Sequence, residues 1–132
     1  MEAIARVHGA KMLVTLLERF EIAELGDLDG EARQARLRWI HYPIADRWAP
    51  TDLASARRLV VSILNALERG QDLVVHCWGG VGRAGTIAAA CFVARGTPPA
   101  DAIAIVRAAR GRAIETAAQE RFVREFGSHV HA

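Results

Sequence analysis

One stretch of the chain concentrates chemistry. Val74–Val75–His76 is a short apolar run that ends on a thiol, Cys77. Trp78, Gly79, Gly80, Val81 and Gly82 follow, then Arg83 at the head of a nearly all-apolar run to Ala94. A loop this rich in glycine can curl until successive N–H groups point at one centre and form an anion-binding nest. A helix opening at Arg83 adds its unpaired N–H groups and the positive end of its dipole. Arg83 offers a planar fork that fits two oxygens of a phosphate. Cys77 stands at the floor of this cradle. A field built to hold a phosphate dianion also favours a thiolate over a thiol, and a thiolate placed there is a nucleophile aimed at the phosphorus of a bound phosphoester. The plainer reading is a buried cysteine near a turn with Arg83 as a helix-surface charge. It leaves the glycines between strand and helix unexplained. Cys91 lies inside the apolar run and reads as a core residue.

The elements that must position this loop alternate in the manner of one α/β domain over residues 1–132. A short helix is expected over 2–8, ending at Gly9, and a buried strand over 11–17. Gly26, Asp27, Asp29 and Gly30 break the polar stretch that follows, with a helix over 30–36. A second strand over 37–44 stops near Pro43, and 45–50 is a loop. Thr51 or Asp52 caps a helix whose apolar positions (Leu53, Ala56, Leu59, Val60, Ile63, Leu64 and Leu67) recur every three or four residues up to Gly70. A strand over 73–76, the glycine loop over 77–82 and a buried helix over 83–94 follow. Thr97 is expected to cap a helix with Pro98 and Pro99 in its first turn, running to about 109. Thr116 and Gln119 form a capping box for a last helix to about 126, with 127–132 a fraying tail.

Composition narrows the function classes. The chain has 132 residues, 52% hydrophobic and 24% charged, with a net charge of +2, ordinary for a globular domain. That surplus is too small for a nucleic-acid surface. It suits an anionic substrate at one local site. Two cysteines exclude a disulfide scaffold and a zinc site built mainly from thiolates. No run approaches the ~18 apolar residues of a membrane span. No secretory leader is visible, so the expected compartment is the cytoplasm. No metal or cofactor is implied.

His76–Cys77-x5-Arg83 resembles the signature of the cysteine-dependent protein tyrosine and dual-specificity phosphatases. His41–Tyr42–Pro43–Ile44–Ala45–Asp46, with Pro50 beyond, resembles the acid loop of their small members. Ala113–Ile114–Glu115–Thr116, followed by Gln119, resembles the segment that closes their active site. The likeness covers roughly 10–126 and points to the cyclin-dependent-kinase-associated branch and its small atypical relatives. It implies a central, mainly parallel sheet flanked by helices, and a phosphomonoesterase acting through a phosphocysteine on phosphotyrosine, and on phosphoserine or phosphothreonine, of protein substrates. Residue by residue, it makes Cys77 the nucleophile, Arg83 the phosphate ligand, and the backbone of Trp78 to Arg83 the cradle. Asp46 becomes the general acid and then the base. His76 is implied to orient the loop, and Glu115 to order the water of the second step. The residues alone also allow Asp46 as a turn or cap residue, Glu115 as a solvated charge and Gln119 as a capping residue.

There are departures. The position after Arg83, where the family carries a hydroxyl that eases thiolate departure, is Ala84; Thr86, two residues on, is expected to face elsewhere. The family has one or two strands before the point where this chain begins. Either the start is misassigned or the sheet, expected to have about four strands, has an exposed edge, and such an edge invites dimerisation or aggregation. No oligomeric state is read from the sequence. Two other readings stand beside the active phosphatase. One is a slow or inactive phospho-binding module, motivated by Ala84. The other is a different enzyme with a cysteine loop, such as a rhodanese-like sulfurtransferase or an arsenate reductase, which would not require the Asp46 segment. The cradle positions contain no lysine, which favours phosphoprotein over polyanionic inositol phosphates. Trp48 and Trp78 are read as an apolar rim or as core.

Overall fold

The computed structural model describes residues 10–77, 82–111 and 113–130. The expected helix over 2–8 and the cradle positions Trp78, Gly79, Gly80 and Val81 lie outside them. The described residues form three parallel strands in the order β2–β1–β3: β1 Met12–Thr15, β2 Arg38–His41 and β3 Leu73–His76. The expected sheet of about four strands is thus three among the described residues. Among the described residues six helices accompany it: α1 Arg19–Ala23, α2 Leu28–Gln34, α3 Leu53–Glu68, α4 Gly82–Ala94, α5 Pro99–Ala109 and α6 Ala117–Val130.

β1 is central, and every one of its residues is buried, as expected of a strand covered on both faces. Met12, Val14 and Leu16 face one way, against Leu59, Ile63 and Ala66 of α3 and Ile87 of α4. Leu13 faces the other way, with Ala32 of α2, Leu37, Trp39 and Val74. A second core lies on the other side of α4, where Ala89, Ala90 and Val93 of α4 meet Ile103 and Val106 of α5 and Phe122, Val123 and Phe126 of α6. The nearly all-apolar α4 is therefore the pillar between the sheet and the outer helices.

Several boundaries differ from the sequence reading for physical reasons. Asp52, not Thr51, caps α3, its carboxylate accepting from the Ala54 N–H at 3.1 Å. Thr97 does not cap α5. Gly96, at φ +107°, and Thr97 donate to the Val93 and Phe92 carbonyls, so both belong to the finish of α4, and Pro98 is the N-cap. α6 continues to Val130, through the expected tail. Gly127 looks like a helix end but serves packing: a Cβ there would lie 2.7 Å from Pro99 Cγ. α1, only five residues long, was read as part of an irregular polar stretch; it is too short to show a helical period.

Candidate active site

The strands deliver the site residues to one end of the sheet. Backbone pairing continues past the strands: Tyr42 N donates to Thr15 O, Leu16 N to His76 O and Ile44 N to Leu16 O. The chain leaves β1 toward α1, β2 toward the loop with Asp46, and β3 at Cys77. These are the carboxyl ends of parallel strands, where α/β sheets place their binding crevices.

Arg83 is the organising charge. Its side chain is only 2% exposed, which excludes the surface-charge reading. Nη1 and Nη2 donate to the two carboxylate oxygens of Glu21 at 2.8 and 3.0 Å, and Nη1 also donates to Ile44 O at 3.0 Å. Asp46 Oδ1 lies 3.7 Å from Nη2. Glu21 therefore grips the far end of the guanidinium. Among the described residues no bond takes Nε; a side-on fork of Nε–H and an Nη2 proton is the geometry that suits two oxygens of an anion. Burial works against the Arg83 charge. The bonds and charge of Glu21, then the negative charges of Cys77 and Asp46, more than offset it and hold the guanidinium above its usual value. The bonds from Arg83 in turn hold the Glu21 carboxyl below its usual range.

Cys77 directly follows β3 and is half-buried against Ile87 and its neighbours. His76, the residue before it, is fixed from behind. Trp39 Nε1 donates to Thr15 Oγ1 at 2.8 Å, and Thr15 Oγ1 lies 2.8 Å from His76 Nε2. The Thr15 hydroxyl thus ties Trp39 to His76, the direction of its bond to Nε2 following the imidazole tautomer. Burial pushes the His76 imidazole below its ordinary value. Burial also pushes the Cys91 thiol up to about 12, as suits a core cysteine, and neither cysteine forms a disulfide.

Asp46 sits in a turn closed by Trp48 N donating to Ala45 O at 2.9 Å. Its side chain is 71% exposed, and the capping role belongs to Asp52. Trp48 is 60% exposed, so it is rim rather than core. It borders a groove of about 610 Å³ shared with Glu18, Tyr42, Ile44 and Pro50. Glu115 brings its carboxylate against the first residue of α4, where a Cβ on Gly82 would lie 2.7 Å from Oε1. Gln119 is fully buried and completes the expected capping box: its N–H donates to Thr116 Oγ1, and its Oε1 accepts from the backbone N–H groups of Glu115 and Thr116. Thr86 is buried and donates its hydroxyl proton to Gly82 O at 2.6 Å. That proton is spent within the helix, as the expectation that Thr86 faces elsewhere requires.

The sequence reading brought together Cys77, Arg83, Asp46 and His76, and missed Glu21, Thr15 and Trp39. A buried arginine demands a carboxylate, but Glu18, Glu21, Glu24, Asp27, Asp29 and Glu31 all stand in one polar stretch, and nothing in the residue types selects one.

Comparison with known proteins agrees with this geometry. Residues 9–123 match the family described as "Swiss Army Knife protein, DSP-PTPase phosphatase domain". The human protein named cyclin-dependent kinase inhibitor 3 is 31% identical over 119 residues, which cover 88% of this chain and 54% of that protein. This chain spans about half the length of the curated relatives it matches. Among solved structures, Tk-PTP in its active form superposes with a TM-score of 0.86 at 29% identity, covering 96% of this chain and 83% of that one. Kinase associated phosphatase, with its catalytic-site cysteine replaced by serine, gives 0.89 at 26% identity, covering 99% and 76%. Among the described residues no helix is long and apolar enough to cross a membrane.

Proposed function

This chain belongs to the DSP-PTPase phosphatase family, and from that premise we propose that it hydrolyses phosphomonoesters through a phosphocysteine at Cys77. The observation that carries the reading is the orientation of Arg83. A buried guanidinium held end-on by Glu21 and Ile44 O leaves its side-on fork for two phosphoryl oxygens, between Cys77 at the end of β3 and Asp46 across the mouth. Trp78, Gly79, Gly80, Val81 and Gly82 would supply backbone N–H groups to the same anion.

In the first step the Cys77 thiolate attacks phosphorus, the bond to the ester oxygen breaks, and Asp46 gives that oxygen its proton. In the second, water attacks the phosphocysteine, Asp46 takes the water's proton, and Cys77 leaves as thiolate with phosphate as product. Glu115 would order that water, a reading its nearness to Gly82 supports. No metal or cofactor enters. The substrate class we favour is phosphoprotein, with phosphotyrosine first and phosphoserine or phosphothreonine beside it. The exposed Trp48 and its groove suit the side chains that flank a phosphorylated residue. The relatives' names tie two of them to kinases, which makes kinase-associated phosphoproteins the first substrates to try, in the cytoplasm.

Hydrolysis of p-nitrophenyl phosphate, with vanadate binding measured in parallel, tests the reading. Wild-type protein should turn over the ester, and Cys77→Ser should abolish turnover while still binding vanadate at the loop. Activity retained in Cys77→Ser would overturn the assignment.

A further inference from the structure

We propose that Thr116 and Gln119 are positioning residues that latch the Asp46 loop in its working place over Arg83. The inference rests on the reading of Asp46 as the proton donor and adds what holds it there. A side chain that is 71% exposed has little packed against it, so its place is set by backbone.

That backbone is anchored on both sides. Before Asp46, Ile44 donates its N–H to Leu16 O and accepts from Arg83 Nη1 through its carbonyl. After it, Thr116 Oγ1 donates to Arg47 O at 2.9 Å and Gln119 Nε2 donates to Trp48 O at 3.1 Å. Between these anchors Arg47 stands at φ +68°, a left-handed conformation that a non-glycine residue adopts at an expense. Such a turn persists where its surroundings over-determine it, and the two donors on the consecutive carbonyls of Arg47 and Trp48 do so here.

The latch has its own foundation. Ile114, two residues before Thr116, is also left-handed, at φ +58°, and is β-branched, which makes the conformation rarer still. Arg107 of α5 holds this strained segment, with Nη2 donating to Ile114 O at 2.7 Å and Nε to Ala113 O at 3.3 Å. Gly85 of α4 lets it lie close: a Cβ there would meet Ala113 Cβ at 2.6 Å and Ala113 Cα at 3.2 Å. Gln119 is fully buried and divides its amide between two tasks. Its oxygen caps α6, and its nitrogen reaches the acid loop. Thr116 divides its hydroxyl likewise, the oxygen accepting from Gln119 N and the proton going to Arg47 O.

That division permits a test that a simple capping role fails. Thr116→Asp keeps an acceptor for the helix cap and has no proton for Arg47 O. Gln119→Glu, assayed at a pH where its carboxyl is ionised, keeps the acceptor for Glu115 and Thr116 and has no proton for Trp48 O. Thr116→Ser keeps both functions. Rates are measured with phenyl phosphate, whose leaving group needs a proton, and with 2,4-dinitrophenyl phosphate, whose leaving group does not. Each latch-breaking variant should lose about 5-fold on phenyl phosphate, the worth of one neutral hydrogen bond, and the pair roughly 25-fold, with under about 2-fold change on the dinitrophenyl ester. Thr116→Ser should match wild type. Adding Thr116→Asp to Asp46→Asn should cost nothing more, because its effect passes through Asp46. NMR order parameters of the Arg47 and Trp48 amides should fall from about 0.85 toward 0.6 in the double variant. Equal losses on both esters, no loss on either, or unchanged order parameters would overturn the latch. A wild-type chain that hydrolyses neither ester would defeat the phosphatase reading, and the order parameters would still decide whether the latch exists.

Discussion

Two carboxylates approach Arg83, and they could hardly be held more differently. Glu21 is 12% exposed and makes a two-point grip at 2.8 and 3.0 Å. Asp46 is 71% exposed and stands at 3.7 Å. The bonds from the guanidinium hold the Glu21 pKa below its usual range and lock it as an anion, which suits a group that only orients. A group that must give and take a proton needs water at hand and no tight partner, and Asp46 has both. On the proposed mechanism, orientation and proton transfer would thus fall on different segments around one arginine. Glu21 is fixed by its own side chain, and Asp46 by the backbone around it.

Replacing the looser of the two should have the largest effect. Asp46→Asn is expected to slow phenyl phosphate hydrolysis by roughly 10²–10⁴-fold and 2,4-dinitrophenyl phosphate hydrolysis far less. Equal losses on both esters would mean that Asp46 only shapes its turn. Glu21→Gln should act on the other side of the contrast. It leaves the buried Arg83 without its anion, and a charge-assisted bond is worth about 10–100-fold in rate. The fall should appear in kcat/KM for both esters alike, together with weaker vanadate binding. A loss confined to the poor leaving group would place Glu21 in proton transfer and erase the division.

Ala84 sharpens the comparison from the thiolate's side. It carries no hydroxyl for the departing Cys77, and Thr86 has committed its proton to Gly82 O. The second step should then limit turnover, and rapid mixing should show a burst of p-nitrophenol approaching one per active site. Ala84→Ser should shrink the burst and raise steady-state turnover by up to about 10–100-fold, the value of one hydrogen bond to a charged group. An absent burst with an unchanged rate would show that the thiolate leaves without that help.

The smallest expected effect is in stability. Burial holds the His76 imidazole below 6.5, so the unfolded chain binds a proton that the folded chain refuses between those two values. Stability is therefore fully present above pH 6.5 and is lost as pH falls from there through the folded value. Urea unfolding at pH 7.5 and 5.5 should show this loss, and His76→Asn should reduce it. A loss of the same size in the variant would assign it to other groups.

Much of this was legible in the residues because local rules govern it. The period of Leu59, Val60, Ile63 and Leu64 marks α3, and β3 was placed at its observed bounds because a short apolar run lies between Asp72 and the glycine loop. Cys77 and Arg83 are tied by five residues of chain, so their partnership is a matter of spacing. The Glu21–Arg83 pair spans 62 residues, and the Thr116–Arg47 bond spans 69. Nothing local announces either. The helix expected to end at about 126 continues to Val130, and Gly127 within it lets Pro99 approach.

The register of the sheet has a last consequence, one for divergence. Thr15 pairs with His41 on one side and His76 on the other, so the three strands end on one common row. Beyond that row each strand sends out its own loop, and each loop brings one ingredient: Glu21, Asp46, or Cys77 with Arg83. An insertion in one loop changes the reach of one ingredient and leaves the origin of the other two unmoved. A scaffold of this kind can acquire new substrates by loop-length variation alone, without refolding its sheet.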